Sequence, residues 1–109
     1  MIASLAEQTG CYFSETQDKY KHMRVAVWDT YVKKKDGAIM HFDIIAPDDI
    51  VDEKTIHTFG KEYLQSKNQG SQSLTSEECN FCHIEKATVE MMLSIKQKGY
   101  YIIEMENCK

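Results

Sequence analysis

Five consecutive residues, Cys79-Asn80-Phe81-Cys82-His83, carry two thiols and an imidazole within a short stretch of chain. Two thiolates separated by two residues can grip one zinc ion or close into a strained, readily reduced disulfide. Which of these is allowed depends on the backbone. Thr75-Ser76-Glu77-Glu78 fits a capping box. A helix starting there sets Cys79, Cys82 and His83 at i, i+3 and i+4, all on one face. A strand through Asn80–Glu85 instead sends Cys79 and Cys82 to opposite faces, which forbids both chelation and a disulfide.

In a thiol site of this kind Cys79 is the accessible nucleophile, Cys82 its resolving partner and His83 the group that tunes the thiolate. The chemistry is then thiol redox exchange or a glutathione-type adduct, with glutathione or a protein thiol as partner. In a zinc site the fourth ligand must come from His41, His57 or Cys108, because structural zinc usually needs a second pair of ligands. The same five residues match a covalent haem attachment signature. That use requires export to an oxidising compartment, and haem is not expected here because no export signal is legible. The plainest alternative is two partly buried cysteines packed as small hydrophobes beside a surface histidine.

A second candidate lies upstream. Asp29, His41 and Asp43 sit among apolar, β-type residues, where an ionisable side chain is expensive unless paired. Thr30, His41 and Asp43 beside Trp28 would line a polar pocket in which a His–Asp pair does acid–base work, making the protein a small enzyme. The competing reading is ordinary hydrogen-bonded sheet positions or edge charges. His57 is expected to be solvated. Serine nucleophile elbows, phosphate-binding glycine loops and dinucleotide fingerprints are absent.

These side chains need elements to position them. Met23–Val32 and Ala38–Ala46 are two β-type runs flanking Asp36-Gly37, a strong hairpin signal. A two-residue turn there pairs residues whose numbers sum to 73. Trp28, Thr30, Val32, His41, Asp43 and Ile45 then share one face, and Val27, Asp29, Tyr31, Phe42, Ile44 and Ala46 share the other. Asp52 caps a helix over Glu53–Ser66, with Ile56, Phe59, Gly60, Tyr63 and Leu64 as its apolar stripe. Gly60 within that stripe implies a close neighbour. Thr88 caps a second helix, Val89–Lys98, which ends at Gly99 and buries Met91, Met92 and Ile95. Tyr100–Glu106 reads as a last strand. The order β-β-α-(β)-α-β implies an α+β fold, two helices packed on a small mixed or antiparallel sheet.

Composition limits the classes of function. The chain of 109 residues holds 13 Lys plus Arg against 17 Asp plus Glu, a net charge of −4. An acidic chain without a basic block is a poor ligand for nucleic acid or an anionic membrane, and Lys33-Lys34-Lys35 is a solvated hairpin tip. No apolar run approaches the roughly 18 residues of a membrane span. Residues 1–22 have no basic start, and Glu7, Gln8 and Thr9 interrupt their only apolar stretch. They read as a loosely ordered extension, not a secretory signal, before one domain over 23–109. The expected compartment is the cytoplasm, where the four cysteines stay reduced.

Five stretches, VAVWDTYV (25–32), MHFDIIAPDDI (40–50), FGKEYL (59–64), ECNFCHIEKA (78–87) and KGYYIIEMENC (98–108), together resemble a family of small bacterial proteins known as domain of unknown function twenty twenty-four. The resemblance runs from residue 23 to the end. It implies a compact α+β domain of about 85 residues and matches the family's cysteine–histidine motif at Cys79, Cys82 and His83. It implies no assigned activity.

Overall fold

The computed structural model describes residues 23–109; the extension expected over 1–22 lies outside the described residues. Strand β1, Arg24–Lys33, runs into β2, Ile39–Pro47, as an antiparallel hairpin. Lys33 pairs with Ile39, and the Lys34 amide donates to the Ala38 carbonyl at 2.8 Å. The loop is therefore the three residues Lys35-Asp36-Gly37, not two. Gly37 takes φ +92°, the left-handed position that closes a three-residue hairpin and that glycine occupies without strain. The Asp36 carboxylate accepts from the Ala38 amide at 2.9 Å.

The extra loop residue shifts the register. Paired numbers sum to 72: Trp28 opposes Ile44, Thr30 opposes Phe42, Asp29 opposes Asp43 and Tyr31 opposes His41. A slip of one residue moves one strand's side chains to the other side of the sheet. The expected face of Trp28 and Thr30 with His41 and Asp43 is thus corrected. His41 and Asp43 instead share a face with Asp29 and Tyr31.

Helix α1, Glu53–Ser66, forms over the expected span, with the Asp52 carboxylate accepting from the Lys54 amide. Strand β3, Cys79–Lys86, pairs with β1, and β4, Tyr101–Glu106, pairs with β2. Between them lies α2, Val89–Lys98, capped by Thr88 and ended by Gly99 at φ +95°. The sheet is antiparallel throughout, in the order β3-β1-β2-β4.

One helix covers each side of the sheet. On the first side Ile56, Phe59, Tyr63 and Leu64 of α1 pack with Trp28, Val32, Met40, Phe42 and Ile44. Gly60 lets α1 approach closely. A Cβ there would stand 2.5 Å from Leu74 Cδ1 and 2.8 Å from Ile44 Cδ1. His57 is half-buried, not solvated, and its Nε2 is buried without a hydrogen bond. On the second side Met91 and Ile95 of α2 pack with Val25, Val27 and Ile45.

The two helices differ in reach. Ten residues of helix span about 15 Å, while ten residues of strand span about 33 Å. α2 therefore covers one half of its side, over Val25, Val27 and Ile45. Over the other half, with Asp29, Tyr31, His41 and Asp43, lies no helix of the described residues.

Candidate functional site

The capping-box residues behave locally as expected. Glu78 accepts from the Thr75 amide and hydroxyl, Glu77 donates to Thr75 Oγ1, and the amides of Glu78 and Cys79 both donate to the Thr75 carbonyl. Hydrogen bonds from Thr75 hold the Glu78 carboxyl below its usual range. One helical turn forms and goes no further. The Glu78 carbonyl accepts from Tyr31 at 2.9 Å, and from Cys79 onward the chain zips onto β1, so the strand alternative prevails over the helical one.

That strand separates the motif. Cys79 opposes Thr30 and is 1% exposed, on the α1 side. Burial pushes its thiol up, with the Thr30 hydroxyl opposing. The pairing then slips between Val27 and Trp28, which face His83 and Phe81. Cys82 is the extra residue of this bulge and is exposed. The accessible thiol is therefore Cys82, a correction to the expectation for Cys79, because an inward strand position buries the first cysteine. Cys79 and Cys82 are both free thiols, as is Cys108. Among the described residues Cys79, Cys82 and His83 do not converge as a ligand set. His83 is exposed, its Nδ1 lying 3.2 Å from Cys82 Sγ and its Nε2 3.3 Å from Glu85 Oε2.

On the uncovered half of the α2 side three other groups converge. His41 Nε2 lies 2.7 Å from Asp29 Oδ1, so the ring donates and the carboxylate accepts. Asp43 stands directly opposite Asp29 across the hairpin and is 8% exposed. One ligand atom from each of Asp29, His41 and Asp43 lies within 4.8 Å of the other two. Tyr31 stacks on His41 with ring centroids 4.1 Å apart and an interplanar angle of 12°, fixing the imidazole plane. Asn80 opposes Asp29, and Glu106 opposes His41.

Electrostatics set the protonation of this centre. Burial raises the Asp43 carboxyl from its ordinary 3.8 to about 6, helped by the hydrogen bond and charge of Asp29; His41 and His83 pull the other way. Two carboxylates in contact do not both ionise freely, so one holds its proton to a higher pH. The field of His83 at Asp43 joins the two candidate clusters, because β1 lies between β2 and β3. An open depression of about 510 Å³ lies elsewhere, lined by Lys34, Glu104, Met105, Asn107, Cys108 and Lys109.

Asp29 is the member that sequence reasoning assigned to the wrong side. The signal that finds it is the three-residue loop, which puts 29 opposite 43. The bulge at Cys82 leaves no comparable mark.

The architecture is that of a small α+β domain with a four-stranded antiparallel sheet, one helix on either side and a carboxylate–imidazole centre on the bare half. The chain belongs to the family described as Domain of unknown function (DUF2024), whose pattern matches residues 23–105. It is similar to protein NE1680 from Nitrosomonas europaea, solved by NMR, at 48% identity and a TM-score of 0.70, over 80% of this chain and 100% of that one. No curated protein matches it. None of the helices over the described residues is long and apolar enough to cross a membrane.

Proposed function

We propose that the domain is a small acid–base catalyst whose centre is Asp29, His41 and Asp43. The observation that carries this reading is the 2.7 Å contact of His41 with Asp29, beside a buried Asp43, on a stretch of sheet over which no helix of the described residues lies. Asp29 orients the ring through Nε2 and stabilises the imidazolium, which leaves Nδ1 to take a proton from a bound molecule. Asp43, with its carboxyl near 6, returns a proton close to neutral pH, where general acids work best. The substrate class that fits is small and polar. It is bounded by Tyr31 on one flank and by Asn80 and His83 on the other.

The test is the side-chain nitrogen NMR spectrum of His41, in the wild type and in Asp29→Ala. With the carboxylate accepting from Nε2, the neutral ring is held as the tautomer whose Nδ1 is free; removing the carboxylate should release that preference. Nitrogen shifts identical in the two proteins would refute the orienting role and the proposal with it.

A second reading rests on Cys82, which has an imidazole within reach that itself touches a carboxylate, the arrangement that activates a nucleophile. In this reading the Cys82 proton passes to His83 and the thiolate attacks one sulfur of glutathione disulfide. A mixed disulfide forms and glutathione thiolate leaves. Peptide mapping after treatment with glutathione disulfide decides it: an adduct at Cys82, reduced severalfold in His83→Ala, supports the reading. An unmodified Cys82 removes it.

A further inference from the structure

The structure assigns a divalent-cation site to Asp29, His41 and Asp43, with the ion bound by one carboxylate oxygen of each aspartate and by His41 Nε2. The inference rests on the reading of this cluster as the functional centre and names the ligand that competes there with the proton.

Geometry comes first. Zinc binds nitrogen and carboxylate oxygen at about 2.0–2.2 Å, so the atoms of its tetrahedral shell lie roughly 3.3–3.6 Å from one another. The ligand atoms here start at 2.7 Å for His41 Nε2 and Asp29 Oδ1 and all fall within 4.8 Å. The three donors come from adjacent antiparallel strands and not from a loop, so their spacing is held by the hairpin ladder.

Asp43 supplies an independent observation. The residue is nine-tenths buried, and its side-chain hydrogen-bond partner in the cluster is another carboxylate, Asp29. Buried carboxylates are ordinarily satisfied by amide, hydroxyl or cationic donors. The ion pairs of the described residues point the same way. Asp29 is paired with His41, and Lys67 is paired with Glu104. Like charges directly opposed in a sheet are destabilising, so this pair invites a cation.

The donor set selects the kind of cation. One imidazole with two carboxylates is a borderline set that suits zinc, manganese or iron(II). Calcium and magnesium prefer all-oxygen shells of six or more ligands. Three protein ligands leave a position open on the bare side of the sheet for water or a bound molecule, the pattern of catalytic rather than structural zinc.

The experiment uses the full chain freed of metal with a chelator and titrated with zinc chloride, followed by calorimetry and by the side-chain NMR signals of His41. The expected result is a stoichiometry that includes one ion moving the His41 signals, with binding weakened at least tenfold in Asp43→Asn and retained in Cys82→Ser. Magnesium chloride should bind at least a hundredfold more weakly. Zinc that leaves His41 unmoved, or that binds Asp43→Asn as tightly as wild type, overturns the assignment. The proton-transfer reading is judged separately, in metal-free protein, by the effect of Asp29→Ala on the His41 tautomer. Either reading can therefore fail while the other stands.

Discussion

Replacing Asp43 with asparagine should make the fold more stable, in a manner that depends on pH. The ordinary carboxyl near 3.8 rises to about 6 in the fold, chiefly through burial and then through Asp29. Between about pH 4 and pH 6 the folded state therefore holds a proton that the unfolded chain has released, and stability falls as pH rises through that window. Above it the penalty is complete and constant. A shift of about two units corresponds to roughly 3 kcal/mol at 1.36 kcal/mol per unit. Asp29, the charge that Asp43 faces, is partly exposed, and screening there reduces the figure to about 1–2 kcal/mol. Asparagine has nearly the same shape and donates its amide to Asp29 without needing a proton. Urea unfolding of both proteins, in chelator, from pH 4 to pH 8 measures the difference. It should be near zero at pH 4 and reach about 1–2 kcal/mol in favour of the variant by pH 7, a rise in Tm of about 5–10 °C for a domain of this size. A difference that does not vary with pH, or a variant less stable than wild type at pH 7, would refute the electrostatic account of this centre.

Three further outcomes follow from the packing. Gly60→Ala gains about 1 kcal/mol of helix propensity but drives a methyl into buried Leu74 and Ile44; urea unfolding should show a net loss of about 1–2 kcal/mol. Gly37→Ala keeps open space around the new methyl but forces φ +92° on a residue with a Cβ. It should lower stability by about 1 kcal/mol, with hydrogen exchange quickened first at the hairpin tip. Iodoacetamide with peptide mapping should modify Cys82 at least tenfold faster than Cys79 or Cys108, since exposure controls access to the thiolate; comparable rates would contradict the burial of Cys79.

The parts of the fold legible in the sequence are those decided by local physics. Asp52 before Glu53, Thr88 before Val89 and Gly99 after Lys98 mark helix ends with cap chemistry that needs no tertiary partner, and both helices fall where those residues put them. Gly60 announces the close approach of α1 because glycine within a helical apolar stripe costs stability unless a neighbour needs the space. The hairpin is announced by Asp36-Gly37, but its register is not, because Asp-Gly serves both two-residue and three-residue loops. The fate of residues 79–86 was undecidable locally. Thr75 and Glu78 do nucleate a turn, and it is the open edge of β1 that extends the chain beyond it.

That single ambiguity of register governs the functional conclusion. With pairs summing to 73, His41 and Asp43 keep company with Trp28 and Thr30, in what proves to be the α1 core. With pairs summing to 72, Asp29 and Asp43 meet and His41 closes on them, while Trp28 and Thr30 turn inward with Val32 and Phe42. Burying the alternative set would leave ionisable groups under α1 without partners, at a cost of several kcal/mol, so the extra loop residue at Lys35 is what lets the apolar side close. The same choice leaves two carboxylates opposed on the side that α2 is too short to cover. A sheet built for stability alone would place a threonine or an opposite charge at one of these positions. It places Asp against Asp, with an imidazole at hydrogen-bond distance and a tyrosine ring stacked on it, and that arrangement is what the proposed acid–base role rests on.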